Sequence, residues 1–343
     1  MSSEKNAAVP TMNEVAREAN VSVATVSRVV NGSGTVSKKL ELQVLAAIEK
    51  LHYHPSSLAR SFKMQQTQMI GIVVPLLDHP FFSRLAQVME HGLFAQKYRV
   101  IICNTEEDPN RERQYIELLL QQRIDGIIII SEHADYFDEI EAQNIPMVVI
   151  DRTVGQFNCS QVFSDNSLGG YLGMKHLLEL GHRRIQVVAP FFITQPVQKR
   201  IVGIREALAE WRIEESADMF TMSSDPSFEM GIAVGIELAQ RHPRPTAIFA
   251  LSDVTAVGVM HGVNRMNLRV PHDISVMGYD NIPLSAYVMP PLTTVSQSIT
   301  EMGKAAVEIL LRHIQTPELA PEKAVLPTYV VLRESVATPN PGP

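Results

Sequence analysis

The feature that most constrains this chain is an alternation that begins after Met69. Short apolar runs of strand length, at residues 70–74, 100–103, 126–130, 147–150, 185–188, 247–251 and 275–277, are mostly separated by stretches of helical period such as 81–96, 111–122, 168–180 and 255–266. Strands that recur with helices between them predict parallel sheets wrapped in helices, because a parallel connection needs a crossover and a helix supplies it. The number of runs fits two such sheets, and the change of pattern at 162–165 predicts the boundary between them. A chain of 343 residues is long enough for two or three domains, each with its own core. No short-period repeat is present, and the one biased tract is the Pro-rich tail at 339–343.

Residues 11–55 break the alternation and read as three short helices. Thr11 and Glu14 have the spacing of a capping box, opening a helix through Ala19 with Met12, Val15, Ala16 and Ala19 on one face. Asn20 and Val21 make a tight turn, Ser22 caps a second helix over 23–30, and Asn31-Gly32 stops it. A third helix is expected over 37–51, with Leu40, Val44, Ile48 and Leu51 toward a small core. The segment that starts at Pro55 has helix-start residues but is too short to stand alone in water, so its order should depend on a partner.

With 45% hydrophobic and 20% charged residues the composition is that of a soluble globular protein. No uninterrupted apolar run reaches membrane-spanning length, and residues 1–10 lack the basic and apolar stretches of a secretory signal, so a cytoplasmic location is expected. Cys103 and Cys159 have no metal-binding or redox spacing and are expected to be reduced and buried; neither cofactor nor metal is expected. The net charge of −7 is unevenly spread: residues 1–64 carry eight Lys or Arg against five Glu, so a +3 head precedes a −10 body. Such a head can approach phosphates while the body stays off them.

The segment Thr11-Met12-Asn13-Glu14-Val15-Ala16, continued by Ala19-Asn20-Val21-Ser22-Val23-Ala24-Thr25-Val26-Ser27-Arg28-Val29-Val30-Asn31-Gly32, resembles the helix-turn-helix signature of the lactose-repressor (LacI/GalR) family. Further blocks follow in the family's order: Leu51-His52-Tyr53-His54-Pro55, Ala59-Arg60-Ser61, Arg123-Ile124-Asp125-Gly126, Leu180-Gly181-His182-Arg183-Arg184-Ile185, Gly278-Tyr279-Asp280-Asn281 and Pro291-Leu292-Thr293-Thr294-Val295. The resemblance implies an all-α helix-turn-helix head at 1–54, a hinge helix and linker at 55–68, and a two-lobed α/β sensor of the periplasmic-binding-protein type at 69–338. Its first lobe would take 69–163 and 293–322, its second 164–292 and 323–338, with the tail at 339–343.

In such a head the second helix lies in the major groove of double-stranded operator DNA. Val23 and Ala24 can touch thymine methyls, whereas Arg28 can fork onto guanine and is the expected base-reading residue. Thr11, Asn13, Ser22, Thr25, Ser27 and Asn31 carry groups suited to phosphate or to capping. The resemblance also implies that Ser57, Ala59, Arg60 and residue 62 meet the minor groove, where the family's wedge leucine is replaced by Phe62. An aromatic ring can also unstack a base step.

The resemblance further implies an effector in the cleft between the lobes, held by Phe81, Phe82, Asp151, Arg200, Ser252, Asp253 and Asp280; the last three stand at strand C-terminal ends, the usual place for ligands in such sheets. Carboxylates and a guanidinium suit a polyhydroxylated ligand, a sugar or sugar acid. Thr194, Pro196 and Pro226 replace polar and aromatic contacts of purine-sensing members, which makes a purine less expected. The expected function is therefore an effector-controlled repressor acting as a homodimer on a palindromic operator. No heptads follow Val336, which argues against a coiled-coil tetramer. Two alternatives stay open: an α/β enzyme, against which stands the absence of phosphate-loop, dinucleotide, nucleophile-elbow or zinc motifs, and a sugar-binding protein without a DNA role.

Overall fold

The computed structural model describes residues 10–31, 34–53, 66–131, 136–152, 159–190, 194–223 and 227–340. The expected hinge helix, with Ser57, Ala59, Arg60 and Phe62, lies outside the described residues, as do Pro226 and the end of the tail. The chain divides into two compact units between Gln68 and Met69.

The first unit holds helices α1 (Met12–Glu18), α2 (Val23–Asn31) and α3 (Lys38–Lys50). The expected capping box forms: Thr11 accepts from the Glu14 amide, and the Glu14 carboxylate accepts from the Thr11 amide at 2.7 Å. Asn20 turns the chain with φ 52°, which asparagine tolerates better than most residues. Val15, Ala16, Ala19, Val26, Val44, Ala47 and Tyr53 form the core. Leu40, expected inside, is 37% exposed; it sits in the first turn of α3, where Val44 and Ala47 already fill the space against α1 and α2.

The second unit contains two six-stranded sheets. The elements in chain order are β1 (Met69–Val74), α4 (Pro80–Ala95), β2 (Arg99–Asn104), α5 (Pro109–Gln121), β3 (Gly126–Ile129), α6 (Phe137–Ala142), β4 (Met147–Ile150) and β5 (Ser160–Ser164). Then follow α7 (Asn166–Glu179), β6 (Ile185–Pro190), α8 (Gln195–Glu210), β7 (Phe220–Ser223), α9 (Phe228–Gln240), β8 (Ala247–Ala250), α10 (Asp253–Arg265) and β9 (Ser275–Asp280). The last are β10 (Thr293–Ser296), α11 (Ile299–Gln315), β11 (Lys323–Leu326) and β12 (Tyr329–Val331). The first sheet has the order β11-β5-β4-β3-β1-β2 and the second β12-β10-β9-β8-β6-β7. Every pairing is parallel except β10 with β12. Each sheet is covered on its faces by apolar helix stripes, with α4 and α11 closing over Ile70, Ile72, Ile128 and Val148 of the first.

The expected lobe limits need correction at two strands. Residues 293–296, assigned to the first lobe, pair with β9 in the second sheet through Thr293–Met277 and Val295–Tyr279. Residues 323–326, assigned to the second, pair with β5 in the first through Lys323–Gln161 and Val325–Phe163. Both strands adjoin a crossover, so sequence order alone does not say which sheet claims them. The chain thus passes between lobes after β5, after β10 and after β11, and side chains tie these passages together. Ser164 Oγ donates to the Gln297 carbonyl at 2.9 Å, and Thr328 Oγ1 donates to the Asp165 carbonyl at 3.0 Å.

One acid is buried away from any interlobe role. Glu112 of α5 is 3% exposed and accepts from Ser131 Oγ at 2.6 Å, while Tyr136 OH donates to the same Ser131 oxygen at 3.2 Å. Burial pushes the Glu112 carboxyl up to about 7, against the pull of Ser131 and Arg152. A folded value above the unfolded one means that the favourable protonated form is fully present at acid pH and is lost as pH rises through 7. Glu112→Gln keeps an acceptor for Ser131 without the ionisation. It should raise the urea midpoint of unfolding at about pH 8.5 and leave it nearly unchanged at about pH 4.5. A midpoint at the higher pH equal to that of the parent chain would show that Glu112 ionises without cost.

Candidate functional site

In the first unit, α2 spends Val26 on the core and turns its N-terminal residues outward. Ser22 Oγ accepts the Thr25 amide at 3.2 Å and caps the helix. Ser22, Val23, Ala24 and Arg28 are exposed, and Thr25 and Ser27 are partly so. An exposed valine and alanine, with an exposed arginine on the same helix, can meet methyl groups and hydrogen-bond acceptors. Asn13 is exposed on α1. Thr11 is exposed too, but its hydroxyl is engaged with the Glu14 carboxylate at 3.0 Å, so capping already uses it. The Asn31 backbone ends α2; its side chain lies outside what is described.

In the second unit a cavity of about 120 Å³ lies between the lobes. At roughly 10–15 Å³ per enclosed water, that is room for on the order of ten non-hydrogen atoms. Of the residues singled out from sequence, Phe81, Phe82, Asp151, Arg200, Ser252 and Asp280 all line it. Phe81 and Phe82 meet edge to face at 5.1 Å where α4 begins, Phe81 running into the core and Phe82 remaining partly open. Ser252 caps α10 by accepting the Thr255 amide at 3.2 Å. Thr194 and Pro196 are also in the wall.

Arg200 is the centre of the polar half. It is 6% exposed, and its guanidinium lies 3.9 Å above the Tyr279 ring. Its Nε donates to Asn166 Oδ1 at 2.8 Å, one terminal nitrogen donates to the Leu251 carbonyl at 2.6 Å, and the other stands 3.6 Å from Asp280 Oδ1. The close approach of α7 and α8 permits this: a methyl group at Gly203 would overlap the Ser167 carbonyl, and one at Gly170 would overlap that of Arg200. Asp280 is 3% exposed; burial pushes its carboxyl up and the Arg200 guanidinium beside it pulls it back down. Asp280 takes φ 116° and Asp151 φ 67°. Such backbone costs about 1–3 kcal/mol per residue and persists where the surroundings dictate it, commonly at ligand sites.

Asp253 is not part of this wall. It is 0% exposed; one carboxylate oxygen accepts from the Ile282 amide at 2.9 Å and from Ser285 Oγ, and the other accepts from Thr294 Oγ1. It pins the start of α10 to the loop after β9 and to β10, a structural task inside the second lobe. Burial raises its carboxyl to about 6.

The cavity also contains residues that the sequence reading passed over. Arg152, 8% exposed, pairs with Glu107 at 3.0 Å. It follows Asp151 at the same strand end, so the positional signal was available. His79 caps α4 through Nδ1, which accepts the Phe81 amide at 3.4 Å, and burial lowers its imidazole to about 4. Gln297 lies in the passage after β10, a strand that the sequence reading put in the other lobe. Its amide donates to Asp280 Oδ1 at 2.7 Å, and its Oε1 is buried with no hydrogen-bond partner among the described residues. A buried acceptor without a donor is costly unless a ligand or water supplies one.

The formal charges of this wall are three carboxyls, Glu107, Asp151 and Asp280, against two guanidiniums, Arg152 and Arg200. Both guanidiniums already face a carboxylate, so the described wall offers no spare cation to an anionic ligand. The described residues hold no group of three or more metal-ligating side chains.

Comparison with known proteins gives this geometry its context. Residues 11–56 match the pattern of bacterial regulatory proteins of the lacI family, and residues 174–336 match the periplasmic binding protein-like domain. The ribose operon repressor of Haemophilus influenzae is 37% identical over 328 residues, covering 95% of this chain and 98% of that protein. A LacI family transcriptional regulator from Enterococcus faecium, solved with bound ribose, superposes with a TM-score of 0.74 at 33% identity, over 79% of this chain and 100% of the other. The lac repressor dimer bound to operator and the anti-inducer ONPF superposes with a TM-score of 0.84 at 28% identity, over 96% and 99%. The chain belongs to the LacI family of bacterial regulatory proteins and is a DNA-binding transcriptional repressor, not an enzyme.

Proposed function

We propose that this repressor acts in the cytoplasm as a homodimer, each head reading one half of a near-palindromic operator, and that its effector is a neutral sugar of pentose size held in the interlobe cavity. The observation that carries the effector assignment is the buried set of Arg200, Asp280 and Gln297 in a space of about 120 Å³, with both guanidiniums of the wall already paired. Carboxylates hold hydroxyl groups by charge-assisted bonds and amides by neutral ones, and Phe82 offers an apolar face to the C–H side of a sugar ring. A sugar acid or phosphate would bring a charge that these residues do not answer, which narrows the expectation drawn from sequence. The ribose named for the Haemophilus relative and bound in the Enterococcus structure fits the same chemistry.

Gln297 makes the site sensitive to the relation between lobes, since it joins Asp280 of the second lobe to a passage that Ser164 ties to the first. Effector and operator then bias one shared equilibrium of lobe closure. Dimerisation is supported by apolar surface that a monomer would leave wet: Tyr287 is 83% exposed, Met289 82% and Leu284 39%, all in the loop between β9 and β10.

Calorimetric titration with D-ribose, D-gluconate and hypoxanthine tests the effector reading; binding of gluconate or hypoxanthine in preference to ribose would overturn it. Asp280→Asn removes the charge that faces Arg200 and a carboxylate acceptor for sugar hydroxyls, and should weaken ribose binding by about 10- to 100-fold. Arg28→Ala should cost about 1–3 kcal/mol of operator affinity and flatten preference at one base pair per half-site. Equal loss on every sequence in fluorescence anisotropy would reduce Arg28 to a phosphate contact. Tyr287→Asp combined with Met289→Asp should convert dimers to monomers in sedimentation velocity; intact dimers would place the interface elsewhere.

A further inference from the structure

The effector cavity has a neighbour. A second cavity, of about 310 Å³, is lined by Leu76 and His79, which also line the first, so the two adjoin across these side chains. Its other walls come from the entry to α4, with Asp78 and Pro80, and from the starts of α9 and α10, with Ser227, Phe228, Glu229 and Val254. It therefore lies between the same two lobes as the first.

Its chemistry is different. The first cavity sets guanidiniums against carboxylates, whereas the described wall of the second has two acids, Asp78 and Glu229, and neither Lys nor Arg. Asp78 and Glu229 are exposed, and neither forms an ion pair with another described residue. The same wall includes Pro80 and Phe228, the latter only partly buried. Acceptors with negative charge at the rim and an aromatic ring within suit a planar group that donates N–H bonds, and they repel phosphate. His79 adds a donor at the shared wall: its Nδ1 accepts the Phe81 amide, which assigns the proton of the neutral ring to Nε2.

We propose that the natural effector is a nucleoside whose base carries an amino group, its ribosyl unit in the first cavity and its base in the second. This rests on the pentose reading of the first cavity and deepens it. Each part of such a molecule meets the surface that its chemistry asks for: hydroxyls meet Asp280 and Gln297, the ring lies by Phe228, and the amino group reaches Asp78 or Glu229.

Competition calorimetry on the full chain with D-ribose, adenosine, cytidine and adenosine 5′-monophosphate tests this. Adenosine or cytidine should bind about tenfold or more tighter than ribose, and the monophosphate should bind weaker than its nucleoside. Asp78→Asn with Glu229→Gln should bring the nucleoside-to-ribose affinity ratio toward unity, as should Phe228→Ala; the exposed acidic pair serves as the test if the Phe228 variant fails to fold. Ribose binding that neither nucleoside matches, or a ratio unmoved in the acidic double variant, would overturn the proposal and leave the pentose reading standing. Binding of neither ribose nor nucleoside would overturn both.

Discussion

A guanidinium removed from water dictates how the sensor is built. Arg200 is stable inside only because its donors and its charge are met, and the groups that meet it come from the starts or ends of several elements: Asn166 from α7, Leu251 after β8, Asp280 at the end of β9. All of these belong to the second lobe. That half of the cavity is therefore organised before any ligand arrives, with Tyr279 as a floor under the charge. The first lobe brings Phe82, Asp151 and Arg152 to the opposite wall. What a ligand contributes is the connection between two prepared halves.

Much of this could be read from residue order alone, and the failures have physical causes. Parallel strands announce themselves as apolar runs, so β1, β2, β3, β4, β6, β8 and β9 are legible, as is the helical head with its capping box. Strands β5, β7, β10, β11 and β12 are not; in β5, β10 and β11, Ser160, Gln161, Thr293, Thr294 and Lys323 break the apolar pattern at places where the chain changes lobes. The consequence reaches function: Gln297 follows β10 directly, and a stretch assigned to the wrong lobe hides the side chain beyond it. Asp253 shows the reverse failure. A carboxylate just after a strand end has the right position for a ligand contact, but whether it points into the cleft or back at Thr294 depends on a neighbour 41 residues away.

The head and the sensor meet the same physical demand by different means. The head's core is six small or medium side chains and Tyr53, so its helices depend on end groups such as Thr11, Ser22 and Ser37 to satisfy backbone donors. The sensor buries several large apolar clusters and can hold ionisable groups such as Glu112 and Asp253 in its interior. Base reading thus sits on a lightly built frame, whereas the chemistry that must exclude water sits in a heavily packed one.

Because β11 closes one edge of the first sheet and β12 one edge of the second, neither lobe is complete until the chain has been made almost to its end. Among the described residues, the core of the head ends at Tyr53. During synthesis, at roughly 5–20 residues per second, the head can take shape many seconds before either lobe has its last strand. A ribosome that stops late in the message therefore releases a formed operator-reading head attached to a sensor that cannot close: an address without a switch.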